Sequence, residues 1–416
     1  MALPPPKRRP HGLDAARARG YLMFMICSYA YVTELAMNPT LTRVVDPRHR
    51  PEAIAERILP ADRRRGRGAA TNATGRFELQ KREEFDDGWT RDEAPEPLAT
   101  EVTWEKPKAI ITRNESPDIG FDRSINPYRG CEHGCFYCYA RPTHTYMGLS
   151  AGLDFETRLF AKEGAAELLE RELASPKYRP APIAFGANTD PYQPIERQYR
   201  ITRSLIERLA EARHPLTIVT KSNLILRDLD LLAPMARDGL VKVFVSVTTL
   251  DRGLARQMEP RAPTPQKRLE AIEALNDAGV PAGVMAAPVI PAINDEELET
   301  ILTRAYSAGA REGSYVVLRL PNELRDMFRE WLQVHYPDRL KRAVSLMQSM
   351  REGKDYEAQW GRRMAGSGPY AWMIGRRFEM AARRLGFSET SRALRTDLFR
   401  KPTGAPSNAG PQLSLF

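Results

Sequence analysis

The fold class written into this sequence is α/β, a parallel sheet wound into a TIM-type barrel or partial barrel. Three observations predict it. Short runs rich in β-branched residues alternate with amphipathic helical segments from about residue 120 to 321, the pattern of βα repetition. Gly239, Gly279 and Gly309 fall where those helices should stop, as helix C-termini favour a residue at ease in left-handed backbone. Six such units joined by right-handed crossovers curl a parallel sheet. Alternation by itself leaves an open doubly wound sheet as the alternative.

The predicted strands are Pro182 to Ala187, Leu216 to Thr220, Val241 to Thr248, Ala282 to Ile290 and Tyr315 to Leu320, with one more just before Cys131. The helices between them include Ile201 to Ala212, Pro265 to Asp277 and Asp295 to Tyr306. After residue 321 the spacing turns helical, in Asn322 to Val334, Arg339 to Met350 and Pro369 to Leu385. There Phe378, Ala381 and Leu385 read as core packing, and Arg376, Arg377, Arg383 and Arg384 as a solvated face. Residues 1–62 read as disordered or mis-annotated, 63–119 as an N-terminal extension without periodicity, 120–325 as the barrel, 326–398 as a helical extension and 399–416 as a flexible tail. Within the extension, Arg63 to Gly68 reads as a solvated loop or as an arm along a phosphate backbone.

The 416 residues suffice for two or three domains and a sizeable core. A net charge of +9 from 62 Lys and Arg against 53 Asp and Glu permits a polyanionic partner and says nothing of fold. Four cysteines are too few for a disulfide framework, and three of them lie within eight residues, which points to metal or redox chemistry in a reducing, cytoplasmic setting. Cys27 lies apart in Tyr21 to Val32, an apolar run that resembles a signal-peptide core but is too short to span a bilayer. No convincing cleavage site follows it. Translation from Met37 is the alternative reading, and no membrane role is expected.

No GxGxxG or GxxxxGK[ST] fingerprint follows any strand, so the chemistry falls to the cysteines. Cys131, Cys135 and Cys138 stand in CxxxCxxC spacing with Phe136, Tyr137 and Tyr139 around the last two. A structural zinc site wants four closed ligands, and only His133 and His144 are near enough in sequence to supply a fourth. A four-iron cluster that only carries electrons takes four cysteines, so three leave one iron free of protein ligand.

With an aromatic before the third cysteine, at the first loop of a six-unit βα pattern, the chain resembles the radical S-adenosylmethionine (SAM) superfamily. The stretches SINPYRGCEHGCFYCYARPTHTY, NTDPYQPIE, VTKS, TTLD and EPRAP resemble the subgroup of spore photoproduct lyase and "DNA repair photolyase"-like proteins. RGRGAATN, RFE, DDGW and GPYAW resemble one bacterial branch of it. The resemblance implies a partial (βα)6 barrel, a [4Fe-4S] cluster held by the three cysteines, and SAM on the open iron. It further implies reductive cleavage to a 5′-deoxyadenosyl radical that abstracts hydrogen from a substrate, and an external electron donor of flavodoxin or ferredoxin type. Tyr137 matches the position near the adenine.

Polar residues at the C-terminal strand ends are the other cofactor-binding candidates: Asn188, Asp190, Lys221, Ser246 and, beyond the fourth strand, Arg261. Thr248 lies close by. Asn188 and Asp190 also suit a turn before Pro191, and Arg261 suits pairing with either the SAM carboxylate or Glu259. Where the lyase carries a hydrogen-donating thiol, this chain reads Gly186-Ala187-Asn188-Thr189-Asp190. Lyase chemistry with an internal thiol is therefore in doubt, and Tyr139 is the candidate radical relay.

The tail Gln412 to Phe416 resembles the QLxLF peptide by which bacterial repair and replication proteins dock on the sliding clamp, carried on a Pro, Gly and Ser linker. DNA is thus one expected substrate. Modification of a peptide, tRNA or small molecule is the alternative, and a non-enzymatic metal-binding module lies outside both.

Overall fold

The computed structural model describes residues 48, 57–62, 64–79 and 98–403. Tyr21 to Val32 with Cys27, the alternative start at Met37, the DDGW stretch and the tail Gln412 to Phe416 lie outside the described residues.

A seven-stranded sheet forms the centre. Its strands are β2 (Ile111–Arg113), β3 (Arg123–Ile125), β6 (Ile183–Phe185), β7 (Leu216–Thr220), β8 (Val241–Ser246), β9 (Ala282–Val289) and β10 (Gly313–Val317), in the order β10-β9-β8-β7-β6-β3-β2. Every pairing from β3 to β10 is parallel, and β2 alone runs antiparallel, against β3. Six parallel strands open at both edges make a partial TIM-type barrel. The open doubly wound alternative is set aside, since the strands follow one another in a single sense from β3 to β10 without a switch in order.

The crossovers are helical: α2 (Ile201–Glu211), α3 (Leu229–Arg237), α4 (Arg252–Met258), α5 (Pro265–Asp277) and α6 (Leu298–Ser307) follow β6 to β9, and α1 (Ala165–Ala174) precedes β6. The Thr264 hydroxyl caps α5 by accepting from the Lys267 N–H, with Pro265 at its first turn. Gly239, Gly279 and Gly309 all take positive φ, as their place after helices predicts.

Two features were not legible. A second sheet, β1 (Glu101–Glu105), β5 (Arg158–Lys162) and β4 (Tyr128–Arg129) in the order β1-β5-β4, is built from the long connection between β3 and β6 and from the N-terminal region. The region before residue 120 thus supplies β1 and β2 instead of lying without periodic structure. In the Arg63 to Gly68 run, of which Arg63 lies outside the described residues, Arg65 and Gly66 are exposed as in a solvated loop, while Arg67 is buried and donates to the Glu156 and Leu98 carbonyls.

Helices α7 (Leu324–His335), α8 (Leu340–Ser349) and α9 (Gly368–Leu385) close one side. Phe378 and Ala381 pack into the core as expected, while Arg377 leaves the expected solvated face to pair with Glu299 of α6 at 2.6 Å. Trp331 of α7 is fully buried and stacks on Phe136, ring centroids 4.2 Å apart and 9° from parallel, and the Phe328 ring is nearly parallel to Phe136 at 6.3 Å. The helical extension is therefore packed against the cysteine loop. Trp331→Ala should cost about 3–5 kcal/mol. Urea unfolding of the two proteins measures it, and a difference below about 1 kcal/mol would show that α7 does not buttress the loop.

Candidate functional site

The cysteine loop runs from Gly130 to Tyr139, between β4 and a short helical turn at Arg141–Met147. Backbone hydrogen bonds fix it on several sides: Cys131 N–H donates to Phe155 O at 3.0 Å, Phe136 N–H to Met258 O at 3.2 Å, and Arg261 N–H to His133 O at 3.3 Å. The side chain of Gln193 closes the start of the loop, its Oε1 accepting from the Glu132 N–H and its Nε2 donating to Gly130 O. Gly134 takes φ +70°, and the backbone of Gly68 comes so near that a Cβ there would lie 1.7 Å from Gly134 O. No other residue fits at Gly68.

That contact belongs to a buried ionic cradle. Arg141, 0% exposed, donates from Nε to Cys135 O, from Nη1 to the carbonyls of Ala151 and Gly152, and from Nη2 to Glu156 at 2.5 Å. Glu156, equally buried, also accepts from the N–H groups of Gly68 and Ala69. The N-terminal strap, the carboxylate and the guanidinium thus form one unit under the cysteine loop.

The thiols of Cys131 and Cys135 are buried and that of Cys138 half-buried. Burial first, and then the neighbouring thiolates and carboxylates, pushes the Cys131 thiol well up and that of Cys135 up to about 12. Burial also raises Cys138, against the pull of the Ala140 N–H, Arg141 and Lys221. Three anions here are unfavourable until a cation binds them. Among the described residues, no three His, Cys, Asp or Glu side chains converge on a single ion position. A four-iron cluster asks for something different, one thiolate on each of several irons. His144, the zinc reading's fourth ligand, has its Nε2 engaged with Arg158 O, and burial lowers it to about 4.

Behind the loop, at the rim of the barrel, lies a second buried network. Glu259 pairs with Arg268 of α5 and accepts from the Tyr137 hydroxyl and from Thr248 Oγ1, the latter at 2.6 Å. Burial would raise the Glu259 carboxyl, but Arg268, Lys221 and its hydrogen bonds hold it at about 2. Lys221 Nζ lies 5.7 Å from the Tyr137 ring centroid, and although burial works against its charge, Cys135 and Glu259 raise it above its ordinary value. An ammonium is thus held beside the thiols.

The other predicted residues divide by what their polar atoms already do. Asp190 accepts from Thr220 Oγ1, Lys221 N–H and Tyr192 N–H and lies 3.4 Å from His133 Nδ1, so it ties the ends of β6 and β7 to the loop. Arg261 goes to Glu132 at 2.5 Å and not to Glu259, which Arg268 has taken. Ser246 is buried at the end of β8, its carbonyl accepting from Arg268. Asn188 donates its N–H to Asn126 Oδ1, and its side-chain amide makes no hydrogen bond among the described residues. Tyr139, 43% exposed, donates its hydroxyl to the carbonyl of Ala187 and lies under the Arg319 guanidinium.

Sequence reasoning missed Arg141, Glu156, Gln193 and Arg268. Arg268 left a signal, since it falls on the same stripe of α5 as Ile272 and Leu275, both buried. Arg141 and Glu156 left no signal beyond their charges.

Residues 125–305 match the family described as the Radical SAM superfamily. They are a radical SAM domain. The domain belongs to enzymes that use a [4Fe-4S] cluster and SAM, and three thiols on one buried loop beside Lys221 fit the cluster. The chain is 41% identical over 226 residues to an uncharacterized protein of Mycobacterium tuberculosis, covering 54% of this chain and 66% of that one. The match therefore spans just under two thirds of that relative. An uncharacterized protein of Methanocaldococcus jannaschii is 27% identical over 233 residues, covering 56% of this chain and 83% of its own. Among solved structures, a spore photoproduct lyase mutant aligns with a TM-score of 0.47 at 16% identity, over 68% of this chain and 78% of the other. Among the described residues, no helix is long and apolar enough to cross a membrane.

Glu156→Gln would leave the Arg141 charge buried without its counter-ion. The loss expected is about 3–5 kcal/mol, together with iron content falling below that of the unsubstituted protein after reconstitution. Chemical denaturation and iron analysis test both, and unchanged values would show that the cradle does not hold the loop.

Proposed function

We propose that this chain is a radical SAM enzyme that acts on DNA. When bound, the cluster and SAM supply a 5′-deoxyadenosyl radical through one-electron reductive cleavage, with the electron coming from a flavodoxin- or ferredoxin-type donor. The protein's part is to hold, orient and exclude water. Cys131, Cys135 and Cys138 hold the cluster, and the Arg141–Glu156 pair keeps their loop in place. Lys221, Ser246 and Asn188 are the groups we assign to SAM at the strand ends. The ring of Tyr137 lies beside Lys221 with its hydroxyl fixed by Glu259. Asp190 acts through neighbours, because both its oxygens are engaged, and Arg261 is turned to Glu132 through one end of its guanidinium.

The observation that carries the choice of substrate is the pairing of exposed aromatic rings with guanidinium groups. Arg319 lies over Tyr139, and Arg76 lies over Phe77 and Tyr146, whose rings are stacked with centroids 5.2 Å apart. Stacking planes beside cations are what splayed bases and their backbone bind. The basic excess and the clamp-like tail support the same reading.

Tyr139 is assigned the hydrogen return that the lyase gives to a thiol. Its hydroxyl lies on the Ala187 carbonyl, at the strand end where that thiol is absent. Transfer of the hydrogen atom from its O–H to a substrate radical would quench that radical and leave a phenoxyl, which one electron from the same external donor and a proton would return to tyrosine. The test is reductive turnover of the anaerobically reconstituted enzyme with labelled SAM and damaged DNA. Label exchange and altered nucleotides should exceed the DNA-free background, and Tyr139→Phe should still form 5′-deoxyadenosine while losing product. No increase with DNA would move the substrate elsewhere, and undiminished product from Tyr139→Phe would remove the tyrosine from the reaction.

A further inference from the structure

Several arginines in the neighbourhood of α7 and α8 have a carboxylate. Arg329 pairs with Asp355 at 2.7 Å, Arg362 with Glu352 at 2.5 Å, and Arg363 with Asp118. Arg319 and Arg351 do not. Among the described residues neither belongs to an ion pair, and the Nε of each is buried with no hydrogen-bond partner. Arg319 lies two residues past the end of β10, on the strand-end side of the sheet, and its other contacts are weak: the face of Tyr139, 5.2 Å away, and the Tyr356 hydroxyl at 3.3 Å. Arg351, 1% exposed, reaches only two carbonyls, those of Arg362 and Leu318. Glu357, the nearest acid that bears on it, is occupied by Lys354 and the Gln359 N–H.

Two guanidinium groups close enough to disfavour one another, both holding an unused N–H, make an arrangement that an oxyanion would complete. Burial and the nearness of Arg319 lower Arg351 to about 10, in line with a cation that lacks its partner. The position adds the next step. Tyr139 follows the cluster ligand Cys138 directly, so the Arg319 guanidinium lies beside the cysteine loop. The loop that carries Arg319 also carries Glu323, which binds Arg76 at 2.5 Å and so anchors the Phe77 and Tyr146 stack, 53% and 70% exposed.

We propose that Arg319, backed by Arg351, is an oxyanion site for a backbone phosphodiester of the substrate, with the Phe77 and Tyr146 rings offering a surface for an adjacent base. The proposal rests on the nucleic-acid reading above and deepens it. A planar fork suits a phosphate, and an exposed aromatic pair tied to the same loop through Arg76 and Glu323 suits an unstacked nucleotide better than a lone small carboxylate.

The experiment is fluorescence anisotropy of the full-length, anaerobically reconstituted protein with a labelled single-stranded oligonucleotide. A second probe has the same sequence on a neutral methylphosphonate backbone. Arg319→Gln should weaken binding of the natural oligonucleotide about tenfold, as the loss of a charged hydrogen bond does, and should lower the salt slope by about one. Arg319→Lys should recover part of the affinity, and the neutral probe should bind both proteins equally weakly. Equal binding of the natural oligonucleotide by Arg319→Gln and the unsubstituted protein would overturn the site. So would displacement by inorganic phosphate at matched ionic strength, which would assign the pair to a free phosphate. Iron content and 5′-deoxyadenosine formation, measured on the same preparation, report on the radical SAM reading separately. Their failure with binding intact would sink that reading and leave the oxyanion site standing.

Discussion

Three thiols on one short loop cannot all ionise in a buried place unless something positive meets them, and much of this molecule answers that constraint. The loop's Cys135 carbonyl is taken by Arg141, and its backbone N–H groups by Phe155, Met258 and Gln193. Lys221 and Arg141 bring positive charge toward Cys135 and Cys138. The same arrangement that makes bare thiolates costly makes an iron cluster welcome, because cations replace the mutual repulsion with bonds.

The Arg141–Glu156 pair shows how a distant part of the chain enters the site. A buried ion pair is weak evidence of stability in itself, since desolvation offsets most of the attraction. Its use here is geometric. Glu156 takes two N–H groups from Gly68 and Ala69, and Gly68 can approach Gly134 only because it has no side chain. The strap therefore fixes the loop at a distance that any Cβ would forbid. On the other side, Glu259 and Arg268 give the Tyr137 hydroxyl a fixed partner and leave its ring turned toward Lys221.

The barrel was legible because its signals are local. The bounds of β7 and α5 coincide with the sequence prediction, the first from a β-branched run and the second from a Thr-Pro start and an apolar stripe. β1, β2 and β5 left no such signal. The burial of β1 alternates poorly, with Trp104 exposed, and its partner β5 lies beyond the cysteine loop. Pairing across that distance is a property of the folded chain and not of either segment. The cysteines were legible from spacing, and the strand-end candidates from placement. What could not be read was which polar atoms would be consumed by neighbours. Asp190 and Arg261 are spent on structure, and the acid that Arg261 might have taken is held by Arg268, an arginine that looks like a surface residue until α5 is packed.

The central claim is that three cysteines leave one iron for SAM. Electron paramagnetic resonance of the reduced, anaerobically reconstituted protein, with iron quantified on the same sample, tests it most directly. The account predicts about four irons per chain and a [4Fe-4S] signal whose shape changes when SAM is added. Stoichiometric zinc in place of iron, or a cluster signal indifferent to SAM, would contradict it.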